Sequence, residues 1–190
     1  MNWKQIHGKT CVELNSQNHQ PGEADAFFTT SLGMPLRSST ADCVPILFAT
    51  RDGSAIAAVH AGWRGTAQKI TRSLWQKISI LAPAADWVAV LGPSIRPCCY
   101  EVSSDLVEEF AATFPEYNRS DITPQTRMLD LARINLLELK ALGIKDVEVM
   151  PHCTYCSTNP EFFSYRRRTK LGLNEGKLCQ WSTIMRAEFN

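Results

Sequence analysis

Only four of the 190 residues are histidine, and the formal net charge at neutral pH is +1. A charge so near zero gives electrostatics no basis for holding nucleic acid or an anionic membrane. No apolar run has the length needed to span a bilayer, and the start, Met1-Asn2-Trp3-Lys4-Gln5, lacks a signal-peptide pattern, so a cytoplasmic protein is expected. Missing too are the Gly-rich dinucleotide fingerprint, the P-loop, the G-x-S-x-G elbow and the H-E-x-x-H pair. There is no internal repeat, low-complexity tract or linker. The seven cysteines are odd in number and irregular in spacing. That argues against a disulfide scaffold and leaves core thiols, metal ligands or nucleophiles.

What remains is an ordinary globular composition, 44% hydrophobic and 21% charged, long enough for one substantial domain over residues 1–190. Strand patterns fall at Thr10–Leu14, Ala26–Thr30, Ile46–Ala49, Ile56–His60, Trp87–Leu91 and Val147–Val149. Arg51-Asp52-Gly53 is a tight-turn signal that makes a hairpin of the third and fourth. Ser16–Gly22 reads as a loop, Leu32-Gly33-Met34-Pro35 as a break, and Pro115–Gln125 as polar loop. Apolar residues at Ile70, Leu74, Ile78 and Leu81 predict a helix from about Thr66 to Leu81. Ser103 or Ser104 is placed to cap a helix reaching Phe114, and a further helix over Leu129–Leu142 ends at Gly143. Phe162 to Tyr165 reads as an aromatic strand, and Leu178–Ile184 as an edge strand. Hairpins mixed with helical crossovers predict an α/β (mixed α+β) domain, a layered sandwich of mixed sheet and helices.

The chain turns on Ala55–Thr66, an apolar strand ending in His60, then Gly62-Trp63-Arg64-Gly65 and a helix start. The strand fixes the backbone, the glycines admit close approach, and the helix start offers N–H groups to an anion. His7, Cys43 and His60 have the donor chemistry for zinc or copper, and three protein ligands leave a position open for water. The same residues allow Cys43 and His60 to form a thiolate–imidazole pair. Arg64 and the run Arg166-Arg167-Arg168 are candidates for an anion clamp. His152-Cys153-Thr154-Tyr155-Cys156 contains one C-x-x-C, with no second to complete a structural zinc site. Cys98-Cys99 are adjacent, which argues against both facing one metal.

Five ordered stretches then point to a family. They are Gln5-Ile6-His7-Gly8; Thr40-Ala41-Asp42-Cys43-Val44-Pro45; Val59-His60-Ala61-Gly62-Trp63-Arg64-Gly65; Leu91–Ile95 with Cys99-Tyr100-Glu101-Val102; and Cys153-Thr154 with Phe162–Arg167. From about Gln5 to Arg167 the chain closely resembles the YfiH-like family, also called the laccase-domain or multicopper polyphenol oxidoreductase family. The resemblance implies a site built from His7, Cys43 and His60. It implies a zinc-dependent purine nucleoside phosphorylase acting on adenosine, inosine and methylthioadenosine with phosphate, and adenosine deaminase activity beside it. An older description is copper-dependent oxidation of polyphenols, and the fold has also been grouped with Cys–His hydrolases. On this reading the metal is zinc, with copper as an alternative, and the partners are small molecules. The protein is expected to be a monomer or small homo-oligomer.

Two departures from the family pattern stand out. Only Met1–Lys4 precede the Q-[VI]-H-G motif, where the family has a longer segment, which implies a more open site or a partial chain. The family's terminal T-G-R reads as Glu175-Gly176-Lys177, which keeps a charge but loses a bidentate fork. Under the phosphorylase reading, Arg64, Arg166 or Arg167 holds phosphate, and Asp42 is the candidate acid/base or partner of a metal ligand. Multicopper oxygen reduction is chemically weaker, because four histidines are too few for a blue-copper site plus a trinuclear cluster.

Overall fold

The computed structural model describes residues 3–16, 22–158, 162–173 and 178–188. Its centre is a six-stranded mixed sheet. In chain order the strands are β2 (Cys11–Glu13), β4 (Ala26–Thr29), β6 (Val44–Thr50), β7 (Ile56–Ala61), β8 (Trp87–Leu91) and β9 (Asp146–Val149), and across the sheet they run β2-β4-β7-β6-β8-β9. β6 and β7 form the predicted antiparallel hairpin, pairing Val44 with Ala61 and Ala49 with Ile56. β8 lies antiparallel to β6 and parallel to β9. Two smaller pairs complete the strands among the described residues: β1 (Trp3–Lys4) with β3 (Gly22–Glu23), and β5 (Pro35–Thr40) with β10 (Gln180–Met185).

The central strands β4, β6 and β7 are covered on both faces, which explains why they read as continuous apolar runs rather than clean alternations. Along β7, Ala57 and Val59 face one core while Ile56 and Ala58 face the other. The first core is closed by α2 (Ile70–Ile78), α3 (Ser104–Thr113) and α5 (Leu131–Ala141), which contribute Leu74, Phe110 and Ile134, all fully buried. Each such side chain contributes about 1.5–3 kcal/mol through the area it removes from water. The second core packs Phe27, Met34 and Leu36 beneath the β5–β10 pair. The result is the mixed α+β layering expected, with a small antiparallel sheet as its outer layer.

Several local expectations change. The helix predicted from Thr66 is two helices, α1 (Trp63–Ala67) and α2, broken where Lys69 adopts φ 58. A left-handed residue cannot continue an α-helix, so the first turn swings free of the stripe formed by Ile70, Leu74 and Ile78. Asn135 fixes the break from α5: its amide donates to Thr66 Oγ1 at 3.0 Å and accepts from Thr71 Oγ1 at 3.2 Å. The break read at Leu32–Pro35 does form, as a turn at Leu32-Gly33 after β4, and its last residue starts β5. Proline opens this strand, a position where a missing N–H is tolerated. The loop at Pro115–Gln125 contains a short helix, α4 (Arg119–Ile122). The supposed aromatic strand gives way to α6 (Tyr165–Leu171), because Ser164 Oγ accepts the Arg167 N–H and caps a helix start. The caps at Ser103 and the end of α5 at Gly143, in a left-handed conformation (φ +90), form as predicted. Most of the Ser16–Gly22 loop and all of Glu175-Gly176-Lys177 lie outside the described residues. No helix among the described residues is long and apolar enough to cross a membrane.

Candidate functional site

His60 sits near the end of β7, a strand hydrogen-bonded on both sides by β4 and β6, so its backbone is fixed. Cys43 immediately precedes β6, and the pairing of Val44 with Ala61 brings it beside Gly62. His7 arrives on the segment between β1 and β2, with its backbone in the left-handed region at φ 61. One donor atom from each of these three residues lies within 4.8 Å of the others. The two imidazoles meet edge to face, with centroids 4.7 Å apart. Gly62 leaves the space between them: a Cβ there would lie 2.9 Å from Cys43 Sγ and 2.9 Å from His7 Cδ2. Two imidazoles and a thiol around a gap that only glycine leaves open fit a borderline-soft divalent cation.

Asp25 organises this trio, and sequence reasoning missed it. It is 1% exposed, and its Oδ1 lies 2.8 Å from His60 Nδ1. It also accepts the main-chain N–H groups of Gly8 (2.7 Å), His7 (2.9 Å) and Ile6 (3.2 Å). One carboxylate therefore orients the His60 ring and holds the His7 segment against it, as a carboxylate behind a ligating histidine does. The available signal was a lone acid inside the apolar run Ala24-Asp25-Ala26-Phe27-Phe28.

Electrostatics follow from this wiring. Burial alone would raise the Asp25 pKa, but the bonds from His60 and the Gly8 and His7 amides hold it below the usual carboxylate range. Burial would likewise penalise a charged His60, yet Asp25 and Cys43 raise it to about 9. Desolvation opposes ionisation of Cys43, but His60 and His7 bring its thiol down to about 7. Without a metal, the cluster therefore favours a thiolate beside an imidazolium.

A second shared device lies at Asp42, whose φ of 104 is strained for a non-glycine residue. Its Oδ1 accepts from Thr154 Oγ1 and its Oδ2 from the Arg166 main-chain N–H, both at 2.7 Å. Expected as an acid/base group or a partner of a metal ligand, Asp42 has both oxygens engaged, joining the Cys43 loop to the Thr154 loop and to α6. Arg166 places its guanidinium 5.2 Å from the Tyr100 ring centroid and donates to Glu101 O at 2.7 Å. Arg64 is exposed and lies 4.2 Å over the Trp63 ring. Tyr100, also unforeseen, lies against Arg166. Burial and the nearby Cys43 and Asp42 push its phenol up to about 12, against the opposing charges of Arg166 and Arg64. Both arginines are thus near enough to Tyr100 for their charges to act on it. Arg167 does not share that placement: it donates to the carbonyls of Tyr155 and Phe162, bracing the loop before α6. The helix start after Gly62 offers little to an anion, because α1 spans only Trp63–Ala67.

The expectation against a second metal cluster is overturned in its geometry. Cys98 and Cys99 do face the same point, and they face it together with Cys153 and Cys156. The missing partner of the C-x-x-C is the adjacent pair, brought over by a turn in which the Cys99 and Tyr100 N–H groups both bond Arg96 O at 2.9 Å.

The layered mixed fold and the His–Cys–His cradle together define a class: small α/β proteins with a candidate soft-metal centre at the end of a central strand. The chain belongs to the family described as multi-copper polyphenol oxidoreductase laccase, whose family model matches residues 1–184. It is 33% identical over 171 residues to the purine nucleoside phosphorylase YfiH of Shigella flexneri, covering 89% of this chain and 69% of that protein. It is 32% identical over 174 residues to adenosine deaminase RL5 from an unknown prokaryotic organism, covering 87% and 64%. The crystal structure of Bacillus licheniformis hypothetical protein YfiH superposes with a TM-score of 0.82 at 26% identity, covering 98% of this chain and 74% of that one.

Proposed function

We propose that this chain is a metal-dependent purine nucleoside phosphorylase that also deaminates adenosine. The observation that carries the reading is the cradle of His7, Cys43 and His60, open at Gly62 and backed by Asp25. Zinc held there, or copper as an alternative, would supply a Lewis acid and a water of lowered pKa. Asp25 bonds His60 Nδ1 and leaves the other ring nitrogen to face the cradle. Arg64 and Arg166 hold phosphate, and the protonated Tyr100 hydroxyl donates to the same anion. Phosphate oxygen attacks ribose C1′ as the glycosidic C–N bond breaks, giving ribose 1-phosphate and free purine. In deamination, water replaces the C6 amino group and ammonia leaves. Asp42 acts by position, holding the Cys43 loop to Arg166. The names of the similar proteins support both activities.

The test is a chromatographic assay of adenosine and inosine, with and without phosphate and with and without a chelator. Phosphate-dependent release of adenine or hypoxanthine that stops on metal removal is expected, with inosine formed from adenosine. No turnover by protein carrying metal in the cradle would overturn the reading. A Cys–His hydrolase is the second reading, favoured by the lowered Cys43 thiol and raised His60. It requires activity that survives chelation and is lost when Cys43 is alkylated. Laccase chemistry has less support, since the four histidines of the chain do not supply a trinuclear copper site.

A further inference from the structure

We infer that Cys98, Cys99, Cys153 and Cys156 form a second, closed metal site, a tetrathiolate that binds zinc or a similar soft divalent cation and fastens two loops behind the first site. The fold itself delivers the four sulfurs. β8 and β9 are parallel and in register, so the loops that follow them leave the sheet side by side. The pairing continues past the strands in a bridge from Ser94 to Cys153, with the Thr154 N–H bonding Ser94 O at 3.1 Å. Cys98 and Cys99 ride on the first loop, and Cys153 and Cys156 on the second.

All four Sγ atoms lie within 4.8 Å of one another, and Cys98 and Cys156 are 3.8 Å apart. A tetrahedral zinc with Zn–S bonds of ~2.3 Å requires sulfur–sulfur edges of roughly 3.8 Å, so the Cys98–Cys156 edge already matches and every other lies within 4.8 Å. The Arg96 main-chain N–H points to Cys153 Sγ at 3.5 Å, the kind of contact that supports a coordinating thiolate. A cleft of about 450 Å³ opens over Cys98, Cys153 and Cys156 and gives a cation a way in. All four are free thiols. A tetrahedral cation uses all four.

The site is closed by four protein donors, which marks it as structural rather than catalytic. Its influence on the first site is direct. The residue after Cys99 is Tyr100, and the residue after Cys153 is Thr154, whose hydroxyl holds Asp42. Fixing the sulfurs therefore fixes the backbone that carries Tyr100 and Thr154, the latter holding Asp42 beside Cys43.

The experiment counts zinc bound to the purified full chain after loading, comparing the wild type with Cys156→Ser, Cys99→Ser and Cys43→Ala. The wild type should hold about two equivalents and each cysteine variant about one. Cys43→Ala combined with Cys156→Ser should hold none, so loss of the cradle metal and loss of this one are read separately. Should the loop variants fail to fold, zinc-edge X-ray absorption on Cys43→Ala alone still decides the matter. A sulfur-only shell at ~2.3 Å is expected. A wild-type count that Cys156→Ser leaves unchanged, a shell containing nitrogen or oxygen, or a Cys98–Cys156 disulfide in the metal-loaded protein would overturn the proposal.

Discussion

The two cysteine-bearing clusters contrast in almost every physical respect. The His7–Cys43–His60 group is anchored to a central strand, has a buried carboxylate behind it, and is kept open by Gly62. The Cys98–Cys99–Cys153–Cys156 group sits on two loops, has a main-chain N–H for support, and closes on itself with four like donors. Mixed donors with a free position suit turnover, whereas four identical soft donors suit permanent occupancy. Strain follows the same division. His7 and Asp42 are two of the four non-glycine residues with positive φ among those described, the first a member of the open cluster and the second the residue before Cys43.

The contrast breaks most sharply at Cys43. Cys43→Ala should abolish nucleoside turnover and release the cradle metal while the tetrathiolate metal stays; full metal occupancy would refute the three-ligand cradle. Gly62→Ala should approach the same loss through sterics alone, since its Cβ would press on both Cys43 and His7. Asp25→Asn keeps the shape but removes the charge behind His60, and should cost roughly 10–100-fold in metal affinity or kcat/KM. Metal titration with parallel kinetics checks it.

The arginines sharpen the comparison within the open site. Arg166→Ala should raise the KM for phosphate roughly 10-fold, in line with losing a charge-assisted bond. Arg167→Ala should leave that KM nearly unchanged and lower Tm instead, because its donors serve main-chain carbonyls. Equal effects on KM would erase the distinction. Cys156→Ser should lower Tm by roughly 5–10 °C, the shift about 2–3 kcal/mol produces in a chain of this size, while retaining much of the activity.

A smaller effect separates the clusters by acidity. A thiol whose pKa is depressed becomes reactive at lower pH, because only the thiolate attacks. In metal-free protein, alkylation of Cys43 should rise through a midpoint of about 7. Cys98 should stay slow until far more alkaline pH, since desolvation and the neighbouring Cys153 and Cys156 thiols push it up to about 11. Mass mapping of the labelled cysteines across pH reads both at once.

Several features were legible along the chain because their causes are local. The β6–β7 hairpin follows from two apolar runs around Arg51-Asp52-Gly53, and the helix α5 from its stripe and its Gly143 end. The trio was legible from donor chemistry beside turn residues and from the family motifs. The missed elements have competing local signals. An aromatic run read as strand yields to the Ser164 cap, and a predicted continuous helix yields to Asn135 holding Thr66 and Thr71 apart.

By itself the sequence determined the family, the mixed α+β character and the donor types, since composition, turn residues and ordered motifs act over a few residues at a time. Only the tertiary structure decided that Asp25 stands behind His60, that Asp42 is engaged by Thr154 and Arg166, and that an adjacent cysteine pair meets a C-x-x-C. Those contacts join residues 35, 112 and 124 positions apart for the first three. Such distances are closed by the order of strands across the sheet and by the loops that leave it, which local turn signals and side-chain periodicity do not specify.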